Sequence, residues 1–303
     1  MSRKRRKLWT VPNGVEPTEF ERRMMSAEES GAEVPPRNLI KTEEQIEGIR
    51  LSGIVNTGVL DEVASKIHAG MSTEEIDRIV YDYTIAHGAI PAPLHYEGFP
   101  KSVCTSINEV VCHGIPNEFD ILKEGDIINV DVSTILNGYF SDASRMFVIG
   151  KTSREKQNLV DCAKKCLEAG MEAAKPYGFL SDIGYAITKC AHAAGFSVVR
   201  DLCGHGVGLE FHEDPDVEHY AKKPGRGMML VPGMVFTIEP MINMGDWHVF
   251  IDAADNWTVV SEDELPSAQW EHTFVMREHG LEILTHQKKP DIKCQKKRLQ
   301  FLE

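Results

Sequence analysis

Across 303 residues there is no apolar run approaching the ~20 residues that a membrane-spanning helix needs. The basic start, MSRKRRKLW, runs into charged residues and not into the apolar stretch of a secretory signal. No membrane association and a cytoplasmic location are therefore expected. Seven cysteines make an odd set with no CxxC and no Cys/His zinc spacing, which excludes a paired disulfide framework and a zinc finger and fits reduced thiols in a core. Positive charge is scarce where it would matter for reading nucleic acid. Eleven of the 33 lysines and arginines sit in the two tails, residues 3–7 and 288–298, leaving 22 basic against 44 acidic residues between positions 8 and 287. An acidic body with basic ends is not a DNA-reading domain, although the tails suit a polyanion.

What is present is enough for a full core: 42% of the residues are hydrophobic, in patterns typical of a globular chain. Residues 1–38 lack sustained periodicity and include NGVEP and SGAEVPP, so they are expected to be an N-terminal extension, with the domain over 39–287 and a basic tail over 288–303. Thr42 with Gln45, and Ser72 with Glu75, have capping-box spacing, and Ile76, Ile79, Val80 and Tyr83 follow a helical period that Gly88 ends. Ser153 and Ser181 precede two further amphipathic runs, the second closed by Gly195. Four helices alternating with strand-like segments predict an α+β class. The pieces also repeat. EGDIINVD and PGMVFTIE each run turn, glycine, apolar strand and then an acid six residues after the glycine, Asp131 after Gly125 and Glu239 after Gly233. Two such halves predict a pseudo-symmetric domain whose halves meet at an acidic centre.

Asp131 stands between Val130 and Val132, and burying an unpaired carboxylate costs on the order of several kcal/mol. Asn137-Gly138 is a strong hairpin signal, which pairs 136 with 139, 133 with 142 and 131 with 144. Asp142 then lies diagonal to Asp131 on one face, roughly 7 to 8 Å away, within reach of a shared metal ion or of a dyad that keeps a proton. His205 in CGHGVG, Glu239 in VFTIEPMI and Glu271 in QWEHTFVM are three more polar residues in apolar or glycine-rich surroundings. Four carboxylates and an imidazole suit two divalent ions such as manganese, iron(II), cobalt or zinc.

The stretches YEGFPKSVCTSINEVVCHGIP, CGHGVGLEFHEDP, PGMVFTIEPM and SAQWEHTFVM, with the hairpin, resemble the type I methionine aminopeptidases over about residues 39–286. The resemblance implies a pita-bread fold, with a central antiparallel sheet and helices on its outer face, and removal of the initiator methionine from nascent chains with a small second residue. It also implies that Asp142 and Glu271 bridge two metals, that Asp131 completes one and His205 with Glu239 the other, and that His113 and His212 contact substrate. Tyr96, Phe99, Cys104, Phe211 and Trp257 match the methionine pocket, and Asn108, Val110 and Ser267 a monovalent-cation site. Pro93 and Glu97 depart from residues common in such relatives and alter the pocket's detail.

In the implied reaction the two metals activate a water to attack the carbonyl after the first methionine, Glu239 shuttles the proton, His212 stabilises the oxyanion and His113 serves the leaving nitrogen. The partners expected are nascent N-termini and, through the basic tails, a weak salt-dependent contact with the ribosome, for a chain acting as a monomer. A proline-specific peptidase of the same fold would share all five ligands but usually carries a larger N-terminal domain. A non-catalytic module would have lost ligands. A nucleophilic Cys104 or Cys112 beside His113 would leave the four acids unexplained.

Overall fold

The computed structural model describes residues 7–286. The basic residues 3–6 and 288–298, and the polyanion contact expected of them, lie outside the described residues. Among the described residues there are five α-helices: α1 (Glu19–Glu29), α2 (Glu43–Lys66), α3 (Thr73–Ala86), α4 (Arg154–Ala173) and α5 (Leu180–Ala193). The capping boxes close as their spacing predicts. The Gln45 and Glu75 N–H groups donate to Thr42 Oγ1 and Ser72 Oγ at 3.2 Å each, and both N3 side chains reach back to the cap N–H at 2.8 Å. Helix α5 differs from expectation. It begins at Leu180, so Ser181 lies inside it and accepts from the Arg226 N–H at 2.8 Å, while Asp182 caps the start by accepting from the Phe179 N–H at 2.9 Å.

Every pairing between the named strands is antiparallel. One four-stranded sheet holds the long hairpin Ile127–Leu136 and Tyr139–Val148, flanked by Ile90–Pro91 and Cys104–Ile107. A five-stranded sheet runs Gly280–Ile283, His272–Arg277, Val235–Ile238, Gly204–Gly206, Glu213–Val217, and two three-stranded sheets complete the framework. Helix pair α2–α3 belongs with the first half, α2 lying on the hairpin, and pair α4–α5 with the second. The repeat seen in the sequence is real at the turns: Gly125 and Gly233 take φ of 92° and 93° immediately before their strands, a left-handed conformation that favours glycine.

The hairpin register is that set by Asn137-Gly138: Leu136 pairs with Tyr139, Ser133 with Asp142 and Asp131 with Ser144. Alternation then divides its residues between two faces. Val132, Thr134 and Ser141 meet α2, where Ser52 Oγ donates to the Thr134 carbonyl at 2.9 Å, Ser141 Oγ donates to Ser52 Oγ at 3.0 Å and the Asn56 amide donates to the Val132 carbonyl. On another side of α2, Gly53 lets the helix lie close to the segment after Gly280–Ile283, because a Cβ there would stand 2.5 Å from the Leu284 carbonyl oxygen. The opposite face keeps Asp131, Ser133 and Asp142 together.

The N-terminal segment is more structured than its lack of periodicity suggests. Thr18 and Glu21 form a further capping box that starts α1. Trp9 is 2% exposed, donates Nε1–H to the Pro35 carbonyl at 2.8 Å and lies under the Arg37 guanidinium at 4.3 Å. Trp9, Met24 and Val34 join the same core cluster as α4 and α5. Replacing Trp9 with alanine is therefore expected to cost about 3 kcal/mol of stability in denaturant unfolding. A loss under about 0.5 kcal/mol would mean that this segment is not part of the core.

Candidate metal centre and adjoining cleft

The five candidate metal ligands come from five separate segments of the chain and meet in one cavity of about 590 Å³. Asp131 and Asp142 rise from the hairpin, His205 from Gly204–Gly206, Glu239 follows Val235–Ile238, and Glu271 precedes His272–Arg277. Asp142, His205 and Glu271 each bring a ligand atom within 4.8 Å of the others. His205 Nδ1–H donates to the Gly206 carbonyl at 2.9 Å, which leaves Nε2 unprotonated in the neutral ring, 3.7 Å from both Asp142 Oδ2 and Glu239 Oε1. Lone pairs facing one another at that distance leave room for a cation.

Burial dominates the electrostatics. It pushes Asp131 up to about 6 and Glu239 to about 8, and Asp142 and Glu271, buried against the other acids, rise well above the usual carboxylate range. Burial also lowers His205 to about 3 and His113 to about 4, so both are neutral at pH 7. Among the described residues no lysine or arginine forms an ion pair with any of the four acids. Asp131 Oδ1 and Glu271 Oε1 are buried without a hydrogen-bond partner. Orphaned carboxylate oxygens and an unprotonated imidazole nitrogen converging on one point fit divalent metal ions, whose ligands must be deprotonated oxygen and nitrogen donors.

The residues expected to contact substrate line the same cavity. His212 sits at the mouth, its Nδ1 2.9 Å from Tyr96 Oη and its ring 4.3 Å from that of His205. His113 takes φ 57°, an uncommon conformation for a non-glycine residue, and faces Trp257 edge-on with centroids 6.3 Å apart. Phe99 packs edge-on against Trp257 at 5.2 Å, Tyr96 against Phe211 at 4.8 Å, and Cys104 pairs with Asp131 in the sheet. Pro93 and Glu97 also line the cavity. Burial holds the Cys104 and Cys112 thiols well above their ordinary pKa, which disposes of a thiolate nucleophile. Asn108, Val110 and Ser267 lie outside this cavity. The Ser267 N–H donates to the Asn108 carbonyl at 2.8 Å, and Asn108 Oδ1 accepts from Lys156 Nζ at 2.8 Å.

Sequence reasoning missed the residues that orient the acids. Thr237 Oγ1 donates to Glu239 Oε1 at 2.7 Å and accepts from the His205 N–H at 3.0 Å. Gln269 Nε2 donates to Glu239 Oε2 at 3.0 Å, and Ser133 Oγ donates to Asp142 Oδ1 at 2.8 Å. His219, 1% exposed, accepts the Glu239 N–H at Nε2, 3.1 Å away. Period-two alternation places Thr237 on the face of Glu239 and was a usable signal. Nothing in the local sequence marks Gln269 or His219.

The metallopeptidase family M24 model matches residues 47–278. The chain belongs to that family. It is 51% identical over 242 residues to the methionine aminopeptidase A of Synechocystis sp., an alignment covering 80% of this chain and 94% of that protein. The crystal structure of methionine aminopeptidase from Rickettsia prowazekii superposes with a TM-score of 0.80 at 42% identity, covering 82% of this chain and 99% of the other. The prolidase from Pyrococcus furiosus, at 22% identity and a TM-score of 0.64, shares the fold; the match spans 83% of this chain and 66% of that larger one. The pita-bread architecture expected from the sequence motifs is thus that of the solved M24 enzymes, and the family's use of divalent metal agrees with the cluster. Among the described residues no helix is long and apolar enough to cross a membrane.

The raised carboxylate pKa values have a sign that can be tested. The buried acids bind more protons in the metal-free protein than in its unfolded chain above about pH 4, so their contribution to stability is full below that and is lost as pH rises through about 6 and 8, where Asp131 and Glu239 ionise. A divalent ion displaces those protons, so added metal should raise the melting temperature more at pH 8.5 than at pH 5.5. A metal-induced shift independent of pH would show that the buried acids do not bind it.

Proposed function

We propose that this chain removes the N-terminal methionine from polypeptides by metal-dependent hydrolysis. The observation that carries the reading is one cavity that joins a buried carboxylate–imidazole cluster to an aromatic pocket, with two histidines between them. Asp131, Asp142, His205, Glu239 and Glu271 would hold two divalent ions; manganese, iron(II), cobalt and zinc all suit such a donor set. When bound, the ions supply Lewis acidity and activate water at neutral pH.

The chain's own residues do the remainder. The carboxyl of Glu239, held by Thr237 at Oε1 and Gln269 at Oε2, is oriented to take a proton from the attacking water and return it to the leaving amine. If Tyr96 O–H donates to His212 Nδ1, His212 carries its proton on Nε2 and can donate it to the oxyanion that forms at the scissile carbonyl. His113, neutral and backed by Trp257, holds the nitrogen side of the same bond. Phe99, Trp257, Tyr96, Phe211 and Cys104 enclose an unbranched apolar side chain, which suits methionine. A free α-ammonium is drawn to the acidic cluster, restricting attack to chain ends, and the crowding around it favours a small second residue. Nascent N-termini are the substrates this chemistry selects.

Purified metal-loaded protein should cleave Met-Ala-Ser and leave Ala-Ala-Ser intact; preference for a peptide with proline in second position over Met-Ala-Ser would instead favour the proline-specific reading. Asp142→Asn and Glu271→Gln should each lower metal affinity 10- to 100-fold and abolish turnover while the protein stays folded. His212→Ala should cost about 10²- to 10³-fold in kcat with metal content unchanged. Loss of the metal in that variant would reassign His212 as a ligand.

A further inference from the structure

On the reverse of the candidate metal centre the two helical layers part. Strand alternation sends Glu271 and Thr273 toward the cleft and Trp270, His272 and Phe274 to the helix face. There α2 and α4 leave a second cavity of about 450 Å³, floored by those three side chains and Arg145. Its size falls in the range of small-molecule sites, which are mostly apolar with a few placed polar groups. The walls have that character. Leu60 comes from α2, Leu167 and Met171 from α4, and Ile283 from the last strand. The charged groups lining the cavity are Arg145, Lys164 and Glu168. Lys164 Nζ stands 5.0 Å above the Trp270 ring, Arg145 is tied to Asp61 at 2.9 Å, and Thr285 Oγ1 lies 2.9 Å from His272 Nδ1.

We propose that this cavity between α2 and α4 binds a small amphipathic anion, with an aromatic or branched apolar body lying on Trp270 beside Met171 and Ile283 and its acidic group at Lys164. The apolar floor supplies the area. The Lys164 ammonium, exposed and already seated over an aromatic ring, supplies a charge that forms no ion pair among the described residues. None of these residues lines the cleft, although Trp270 and His272 flank Glu271 in the sequence.

The probe is 8-anilinonaphthalene-1-sulfonate, titrated calorimetrically into the full chain. One saturable site is expected, weakened at least tenfold by Lys164→Glu, an exposed helix position where charge reversal leaves the fold intact, and blocked by Met171→Trp, which fills the space. Phe211→Ala, in the cleft, should leave the affinity unchanged. N-phenyl-1-naphthylamine, the same body without the sulfonate, should bind at least tenfold more weakly. Circular dichroism and melting of each variant separate lost binding from lost folding. Absence of saturable binding, an unchanged affinity in Lys164→Glu, loss of binding in Phe211→Ala, or equal affinity for the neutral probe would each overturn the proposal.

Discussion

Four carboxylates are gathered around one cleft, Asp142 and Glu271 buried and Asp131 and Glu239 half-buried, without an opposing lysine or arginine among the described residues. Left alone they repel, and burial makes each charge more costly still, which is why their pKa values rise. Such a centre is a poor way to stabilise a fold and a good way to hold divalent cations. Much of the surrounding structure serves to keep these oxygens converging: Ser133 on Asp142, Thr237 and Gln269 on Glu239, and Thr273, whose hydroxyl accepts the Asp142 N–H at 3.0 Å and donates to its carbonyl at 2.7 Å.

The duplicated architecture makes this convergence geometrically simple. Each half contributes a left-handed glycine turn, a strand and an acid six residues later, so the two halves present their acids toward a common centre. The two-residue period of the strands then separates functions by face. Toward the cleft the hairpin carries Asp131 and Asp142. Toward α2 it carries Val132, Thr134 and Ser141, locked by hydrogen bonds to Ser52 and Asn56. The same alternation in His272–Arg277 and the residues before it leaves Trp270, His272 and Phe274 to floor a separate cavity. A one-residue slip in either strand would exchange the two sets, so the Asn137-Gly138 turn is as important to the centre as the ligands themselves.

Legibility followed the range of the interaction. Thr42–Gln45 and Ser72–Glu75 act within one turn, so their boxes were readable and formed as expected. Thr18–Glu21 had the same spacing, but the polar, aperiodic residues around it masked a helix that packs through Met24, and Trp9 is buried by contacts with Pro35 and Arg37 that lie 26 and 28 positions away. Ser181 had the chemistry of a cap, yet its hydroxyl was claimed by Arg226 across the chain and Asp182 started the helix instead.

By itself the sequence determined the hairpin register, the repeat, and the presence of more buried acid than any core would keep without cations, because turn chemistry, strand period and desolvation cost all act locally. It also supplied the motifs by which the family is legible. Only the tertiary structure decided which lone pairs converge, how His219 and Gln269 hold Glu239 from 20 and 30 residues away, and that the helical layers part behind Glu271. Those outcomes depend on how separate strands and helices pack, and no local pattern encodes a distance between them.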